Sequence, residues 1–390
     1  MRTSLVKLAT VFLIVAVTLG VSMAQSSDVS EGVGPSFGYL GPLTFGPEAT
    51  LFAADSQNVF IYALDLSQHV SGGTPGTLSI AALDEKLAAL LGTEASNLIV
   101  TDLAVYPETG NAFISLMRGR GTGASPVLVR VDGGGDITLI PLDEVPYSRV
   151  KLPNPPGEIT PLVLQGGREF PIPNYPSNRE TEGTLSLFGV QTITDLAYTD
   201  GRLYAAGLSN EEFASKLRSI GYPFQTVDEG TSVEIWHAPH NQFETRSPVY
   251  TFVPYTIDQE PHLIASYLCT PLVKFPVSSL EPGADVRGET IAEFGSGNRP
   301  LDMIVYEKAG EDFLLMSNNR HGVMKVPTSG FGRAPALSEA VPDGETAGVA
   351  YQSIESLTGI EQLDLLDAGH ALVLARSAQN TLNLEAVPLP

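Results

Sequence analysis

Val100-Thr101-Asp102-Leu103-Ala104-Val105-Tyr106 is one copy of a segment that returns as Ile193-Thr194-Asp195-Leu196-Ala197-Tyr198 and as Pro300-Leu301-Asp302-Met303-Ile304-Val305-Tyr306. Each copy is a short run rich in β-branched and aromatic residues, the composition of a strand on a pleated, half-buried surface. A turn containing glycine follows (Gly110, Gly201, Gly310), and then a second strand over 112–116, 202–206 or 313–317. A third strand comes after a polar loop, at 127–131, 233–236 and 323–326. Fainter copies lie at 42–65, 253–294 and 360–387. A meander of three or four strands cannot bury both of its faces alone, so a chain of such units stacks them radially. The expectation is an all-β fold, a β-propeller of six blades, with a seventh if 158–187 hides a degenerate unit.

Helical periodicity is rare, and two short inserted helices are expected. One carries Leu83, Leu87, Leu90 and Leu91 and stops at Gly92. The other follows Ser209 and Glu212, spaced as a capping box, and carries Phe213, Leu217 and Ile220. The domain plan reads 1–24 as a targeting segment, 25–40 as an N-terminal extension and 41–390 as one propeller. A Pro/Gly-rich excursion interrupts the propeller at about 149–190.

At blade level the chain resembles secreted bacterial β-propellers of the YVTN/NHL type. Gly297-Asn298-Arg299-Pro300-Leu301-Asp302, leading to Ser317-Asn318 and Gly322-Val323, is similar to a YVTN-type blade. Gly41-Pro42-Leu43-Thr44-Phe45-Gly46-Pro47, followed by Leu51-Phe52-Ala53-Ala54-Asp55, is similar to the start of an NHL or gluconolactonase-like blade. Such blades serve lactonases, quinoprotein subunits and pure binding proteins alike. The resemblance therefore implies the fold and leaves the chemistry open.

Composition narrows the function classes. The chain has 44 Asp and Glu against 22 Lys and Arg, and this acidic excess argues against nucleic acid as a partner. A single cysteine, Cys269, excludes an intramolecular disulfide framework and a Cys-rich metal site. Arg2 and Lys7 precede an apolar run over 8–21, and Ser22-Met23-Ala24 places small residues at −3 and −1 before Gln25. This is the form of a secretory signal peptide. The expected location is secreted or periplasmic, with no membrane insertion after cleavage. Removing 1–24 takes away Arg2 and Lys7 and no acidic residue, which moves the formal charge from −22 to −24.

Alternating strand direction sorts the loops by face. Loops from second to third strand, and from the fourth strand to the next unit, share one face. That face is expected to carry Arg118, Arg120, Asn210, Cys269, Asn298, Arg299, Asn319, Arg320 and His321 as a surface for a small molecule or a protein. Arg118 and Arg120 are suited to an anionic group. Cys269 reads either as a small buried hydrophobe or as a thiolate activated by His321 or Arg320. Asp102, Asp195 and Asp302 sit at equivalent places on innermost strands. With Asn318 they form an axial candidate for calcium, which takes carboxylate and amide oxygens. The other reading has each Asp accepting backbone N–H bonds. On the opposite face, His237, His240 and His262 form a second candidate, for copper or zinc.

Two function classes follow: a ligand-binding or protein-interaction module, and a metal-dependent hydrolase of gluconolactonase- or paraoxonase-like logic. A copper oxidoreductase is a further alternative. No His-Glu-x-x-His or Walker motif is present. The export reading has a direct check. Mass spectrometry of the protein recovered outside the cytoplasm should find Gln25 at the amino terminus, and an intact Met1 start would remove the signal assignment.

Overall fold

A computed structural model describes residues 29–72, 78–120, 123–155, 192–209, 211 and 213–390. The expected signal segment lies outside the described residues, as does 156–190 of the expected excursion. The described strands form six sheets, one from each repeat unit, arranged as a six-bladed β-propeller. In chain order, the innermost strands of blades 1 to 6 are Leu40–Phe45, Leu98–Val105, Asp195–Thr199, Thr251–Ile257, Pro300–Lys308 and Ile360–Asp367. Each pairs outward with the next strand of its own unit, as in Asp102↔Ser115 and Asp302↔Ser317.

The order of blades around the axis is not the order along the chain. The innermost strand of blade 2 packs between those of blades 1 and 6, and that of blade 1 packs between blades 2 and 3. The ring therefore runs 3, 4, 5, 6, 2, 1. The apolar cores follow the same order, because they lie between blades. Phe113 and Leu128 of blade 2 pack with Leu51 and Tyr62 of blade 1. On its other side, blade 2 offers Ile114 and Val129 to Leu372 and Leu384 of blade 6. Blade 1 meets blade 3 through Phe52 and Ile61 against Leu203 and Ile220.

Outer edges are closed by chain from elsewhere, which blunts the exposed strand edges that would otherwise recruit other chains. Pro146–Lys151, from the start of the expected excursion, pairs with the outer strand of blade 1, and Val29–Val33 pairs with it in turn. Asp285–Arg287 of blade 4 lies along the outer strand of blade 3. Ala347–Gly348 closes blade 4, and Ser79–Ile80 closes blade 6 beside the last strand of the chain.

One expected helix is present and one is not. Leu83–Leu91 is helical, buries Leu83 and Leu87, and ends at Gly92 in the left-handed region that glycine adopts without strain. The helix expected after Ser209 is instead a strand, Ser215–Gly221, paired with Arg202–Leu208. Both of its faces are covered, so Lys216 and Arg218 are as buried as Leu217, and the alternation that marks a strand is lost. Thr231–His237 is consequently the fourth strand of blade 3, and not the third.

The repeated aspartates hold the ring. An innermost strand has a sheet partner on one side only, and its other backbone groups need acceptors. Asp102 Oδ1 accepts the Leu103 N–H at 2.8 Å, and its Oδ2 accepts the Leu43 N–H of blade 1 at 2.6 Å. Asp195 does the same for Leu196 and for Phe252 of blade 4, both at 2.8 Å. Asp302 serves Met303 and Leu363 of blade 6 at 2.8 Å. Asp364 serves Leu365 and Val105 of blade 2 at 2.7 Å. The threonine of the Thr-Asp pair adds a second prong: Thr101 Oγ1 donates to Leu40 O at 2.8 Å and Thr194 Oγ1 to Val249 O at 2.6 Å.

Removing one such carboxylate takes the acceptor from two N–H groups, at about 1–3 kcal/mol for each that is enclosed. Asp364→Ala should therefore lower the unfolding free energy by roughly 2–4 kcal/mol. The exposed Glu355→Ala should move it by less than about 0.5 kcal/mol. Urea denaturation followed by tryptophan fluorescence measures both; an Asp364→Ala midpoint equal to wild type would deny the clasp its role.

Candidate functional site

The loops from second to third strand put Cys269, Thr270 and Asn318–His321 on one face, joined there by the 294–299 connection between blades 4 and 5. Asn318 is the hub. Its Nδ2 donates to Thr270 Oγ1 at 2.9 Å and to Asn298 Oδ1 at 2.8 Å, and its Oδ1 accepts the N–H groups of Arg320 and His321. Asn298 Nδ2 donates to Gly295 O, the Arg299 N–H to Asn319 Oδ1 at 2.7 Å, and Arg320 Nη1 to Gly297 O at 3.0 Å. Six of the expected face residues (Cys269, Asn298, Arg299, Asn319, Arg320 and His321) thus form one connected wall between blades 4 and 5. Arg118 and Arg120 are exposed on blade 2, which stands across the ring from blade 4. They share the face but not the wall, and Arg120 donates to Ser96 O at 2.7 Å. Asn210 lies outside the described residues.

Cys269 is partly buried, with φ at 63°, and its Sγ accepts the Gly297 N–H at 3.5 Å. Burial first, and then Glu293, Glu244 and Asp343, push its thiol up, against a pull from that N–H. His321 is pushed down by burial and by Arg320. The surroundings favour the thiol over the thiolate.

Asp102, Asp195 and Asp302 converge at the inner strands, half-buried and close enough to act on one another electrostatically. Asp364 is a fourth member, and Gln362 a fifth. With its amide nitrogen turned to the axis, as its neighbours require, Gln362 donates to Asp302 Oδ2 and Asp102 Oδ1 at 2.9 Å each. Burial pushes Asp195 up to about 7 and Asp364 to about 6, although two backbone N–H bonds pull each down. Burial and the other axial carboxylates hold Asp102 and Asp302 well above the usual range. Asn318 does not join this group; it is committed to the wall between blades 4 and 5. Asp364 went unread because its unit is offset. A bulge precedes Asp102 and Asp302, and the residue after the corresponding bulge in blade 6 is Gln362.

The histidines divide differently from the expectation. As the end of a fourth strand, His237 emerges on the same face as Cys269. His262 is buried lower in blade 4, paired with Pro276, and its Nδ1 lies 2.8 Å from Glu260 O. Glu244 takes the place expected of His262. Its Oε2 is 2.8 Å from His237 Nδ1 and its Oε1 is 2.5 Å from His240 Nδ1. Burial opposes charge on Glu244, but the two imidazoles outweigh it and hold the carboxyl at about 2. The hydrogen bond to Glu244 raises His240. Nearby, Glu293 is completely enclosed, with neither carboxylate oxygen in a well-formed hydrogen bond. Burial and then Glu244 push it up to about 9, against a weak pull from the Gly295 N–H.

Among the described residues, no helix is long and apolar enough to cross a membrane. No protein-family model matches the chain, and no curated protein matches it. Among solved structures, it is similar to the PQQ-bound aldose sugar dehydrogenase of Streptomyces coelicolor, with a TM-score of 0.30 and 12% identity over 93% of this chain and 100% of that one. It is also similar to an engineered GH43 glycoside hydrolase with endo-xylanase and exo-arabinofuranosidase activity, with a TM-score of 0.34 and 11% identity over 75% of this chain and 51% of that one. Likeness at this level says nothing of what this chain binds or does.

Glu293 generates a pH prediction. An acid whose pKa is raised by folding holds its proton more tightly folded than unfolded. Its stabilising contribution is complete below 4.5 and is lost as pH rises through about 9. Wild-type stability should therefore decline across that window more steeply than that of Glu293→Gln. Thermal midpoints measured from pH 5 to 9 test this; parallel curves would mean that Glu293 is charged in the folded protein.

Proposed function

We propose that the protein is an exported, soluble binding propeller of the YVTN/NHL-like kind, which receives a ligand or partner protein on the face formed by the second-to-third-strand and blade-to-blade loops. The observation that carries this reading is the state of the reactive groups on and beneath that face. The oxygens of Asp102, Asp195 and Asp302 are taken up by backbone N–H groups of two blades. The Cys269 thiol is held protonated by its surroundings. A hydrolase of gluconolactonase-like logic needs axial oxygens to polarise a substrate carbonyl through a metal. Oxygens engaged in holding blades together are poorly placed for that work. What this face presents is a rigid wall with the exposed Arg320 at its rim, and such rigidity lowers the cost of ordering on binding.

Export is supported by the basic start, the apolar run and Ser22-Met23-Ala24. The formal charge of −24 after cleavage speaks for a solvated exterior and for partners other than nucleic acid.

The test compares binding with turnover. Calorimetric and thermal-shift screens of the purified mature chain against neutral and acidic oligosaccharides and peptides should find a ligand that stabilises wild type. Asn319→Ala/Arg320→Ala should lose at least about tenfold in affinity, the range of a lost charge-assisted contact. Hydrolysis of lactones and aryl esters should stay at the buffer rate. Turnover that calcium chelation abolishes, and that Asp195→Asn also abolishes, would replace this reading with the hydrolase.

A further inference from the structure

We propose that His237, His240 and Glu244 form a binding site for one divalent transition-metal ion of the zinc or copper type, at the rim of blade 3 on the loop face. The inference goes beyond the binding reading and does not depend on it.

All three side chains come from one tight hairpin. His237 ends the strand Thr231–His237, a short turn over Ala238–His240 follows, and Asn241 reverses the chain with φ at 50°. Gln242–Glu244 then runs back along the same strand, with His237 opposite Gln242 and Ile235 opposite Glu244. Register therefore sets the spacing of the three groups, and Pro239 stiffens the turn between the two imidazoles. One ligand atom from each residue lies within 4.8 Å of the others. The ring centroids are 4.2 Å apart. Two imidazoles and a carboxylate suit zinc or copper, and three protein ligands leave a coordination position open.

One further observation points to a cation. The cluster sits in a negative field. Besides Glu244 itself, Asp343 acts electrostatically on His240 and favours positive charge there. In the metal-free hairpin each ring donates its Nδ1–H to Glu244. An ion entering the cluster replaces those protons on the carboxylate. A neutral ring then carries its proton on the nitrogen that is not bound to the ion, and a doubly protonated ring releases one proton to solvent.

The experiment uses the purified mature chain, stripped with a chelator and dialysed. Zinc chloride is titrated by calorimetry, and cobalt chloride by its visible absorption, which reports nitrogen and oxygen coordination. The expected result is one ion per chain, a zinc-dependent rise in thermal midpoint, and loss of at least about tenfold in affinity in both His240→Ala and Glu244→Gln. His240 is partly exposed, so His240→Ala keeps the test open if the buried variant fails to fold. His69→Ala, on blade 1, should bind as wild type does. Absence of a saturable ion, or equal affinity in His240→Ala, would overturn the site. Ligand binding on the blade 4–5 wall that persists after metal stripping would leave the binding reading standing while this inference falls.

Discussion

The inner edge of each blade faces the axis, where its backbone N–H groups have no neighbouring strand. In this chain a carboxylate answers that need and, in the same act, joins two blades. Four aspartates each accept one N–H from their own strand and one from the next blade around the ring. The contacts all run in one sense: blade 3 to 4, 5 to 6, 6 to 2 and 2 to 1. That common sense supports the permuted blade order, because a sequential ring would place Asp102 beside blade 3 and not beside Leu43. Enclosure by protein raises the cost of charge on these groups, and it also makes a missing acceptor expensive. The same desolvation therefore shifts their titration and enforces their geometry.

Among the described residues, two junctions lack such an axial aspartate clasp, those between blades 4 and 5 and between blades 1 and 3. At the second, Ser56 Oγ donates to Ile193 O at 2.9 Å. At the first, Asn318 links Thr270 and Asn298, and the Cys269 N–H reaches Asn298 O at 2.9 Å. The polar wall on the loop face thus does structural work that the axis does elsewhere. This explains why so many of its asparagines are buried and internally paired, with an exposed arginine at the rim for recognition.

The fold was legible because its unit repeats. Thr101-Asp102-Leu103-Ala104 and Thr194-Asp195-Leu196-Ala197 mark equivalent inner strands, and six units read from such copies match six sheets. The blade order was not legible, since pairing within a unit is local and the choice of neighbour rests on packing between units. One local error carried far. Leu217 and Ile220 fit helical spacing, but Ser215–Gly221 is a strand covered on both faces, so its polar residues are buried too. Reading it as a helix placed the 233–236 strand one position early in its blade. That reversed the face assigned to His237 and paired it with His262. Glu244, seven residues along the chain from His237, was overlooked for the same reason: only a hairpin on the outer edge brings it back.

The contrast between axis and rim follows from what each carboxylate faces. On the axis, Asp195 receives two backbone N–H groups, which carry partial charge only, and burial works against its charge. Its charged form is disfavoured despite good hydrogen bonds. At the rim, Glu244 receives two imidazole donors and keeps its charge although it is nearly as enclosed. A cation arriving on the axis must separate Gln362 from Asp102 and Asp302 and compete with the N–H bonds that hold the ring. At the rim it has only to displace protons shared between two imidazoles and one carboxylate. The propeller therefore concentrates acidic groups where they are needed for assembly and leaves its most exchangeable donors on an outer hairpin, where occupancy can change without disturbing the ring.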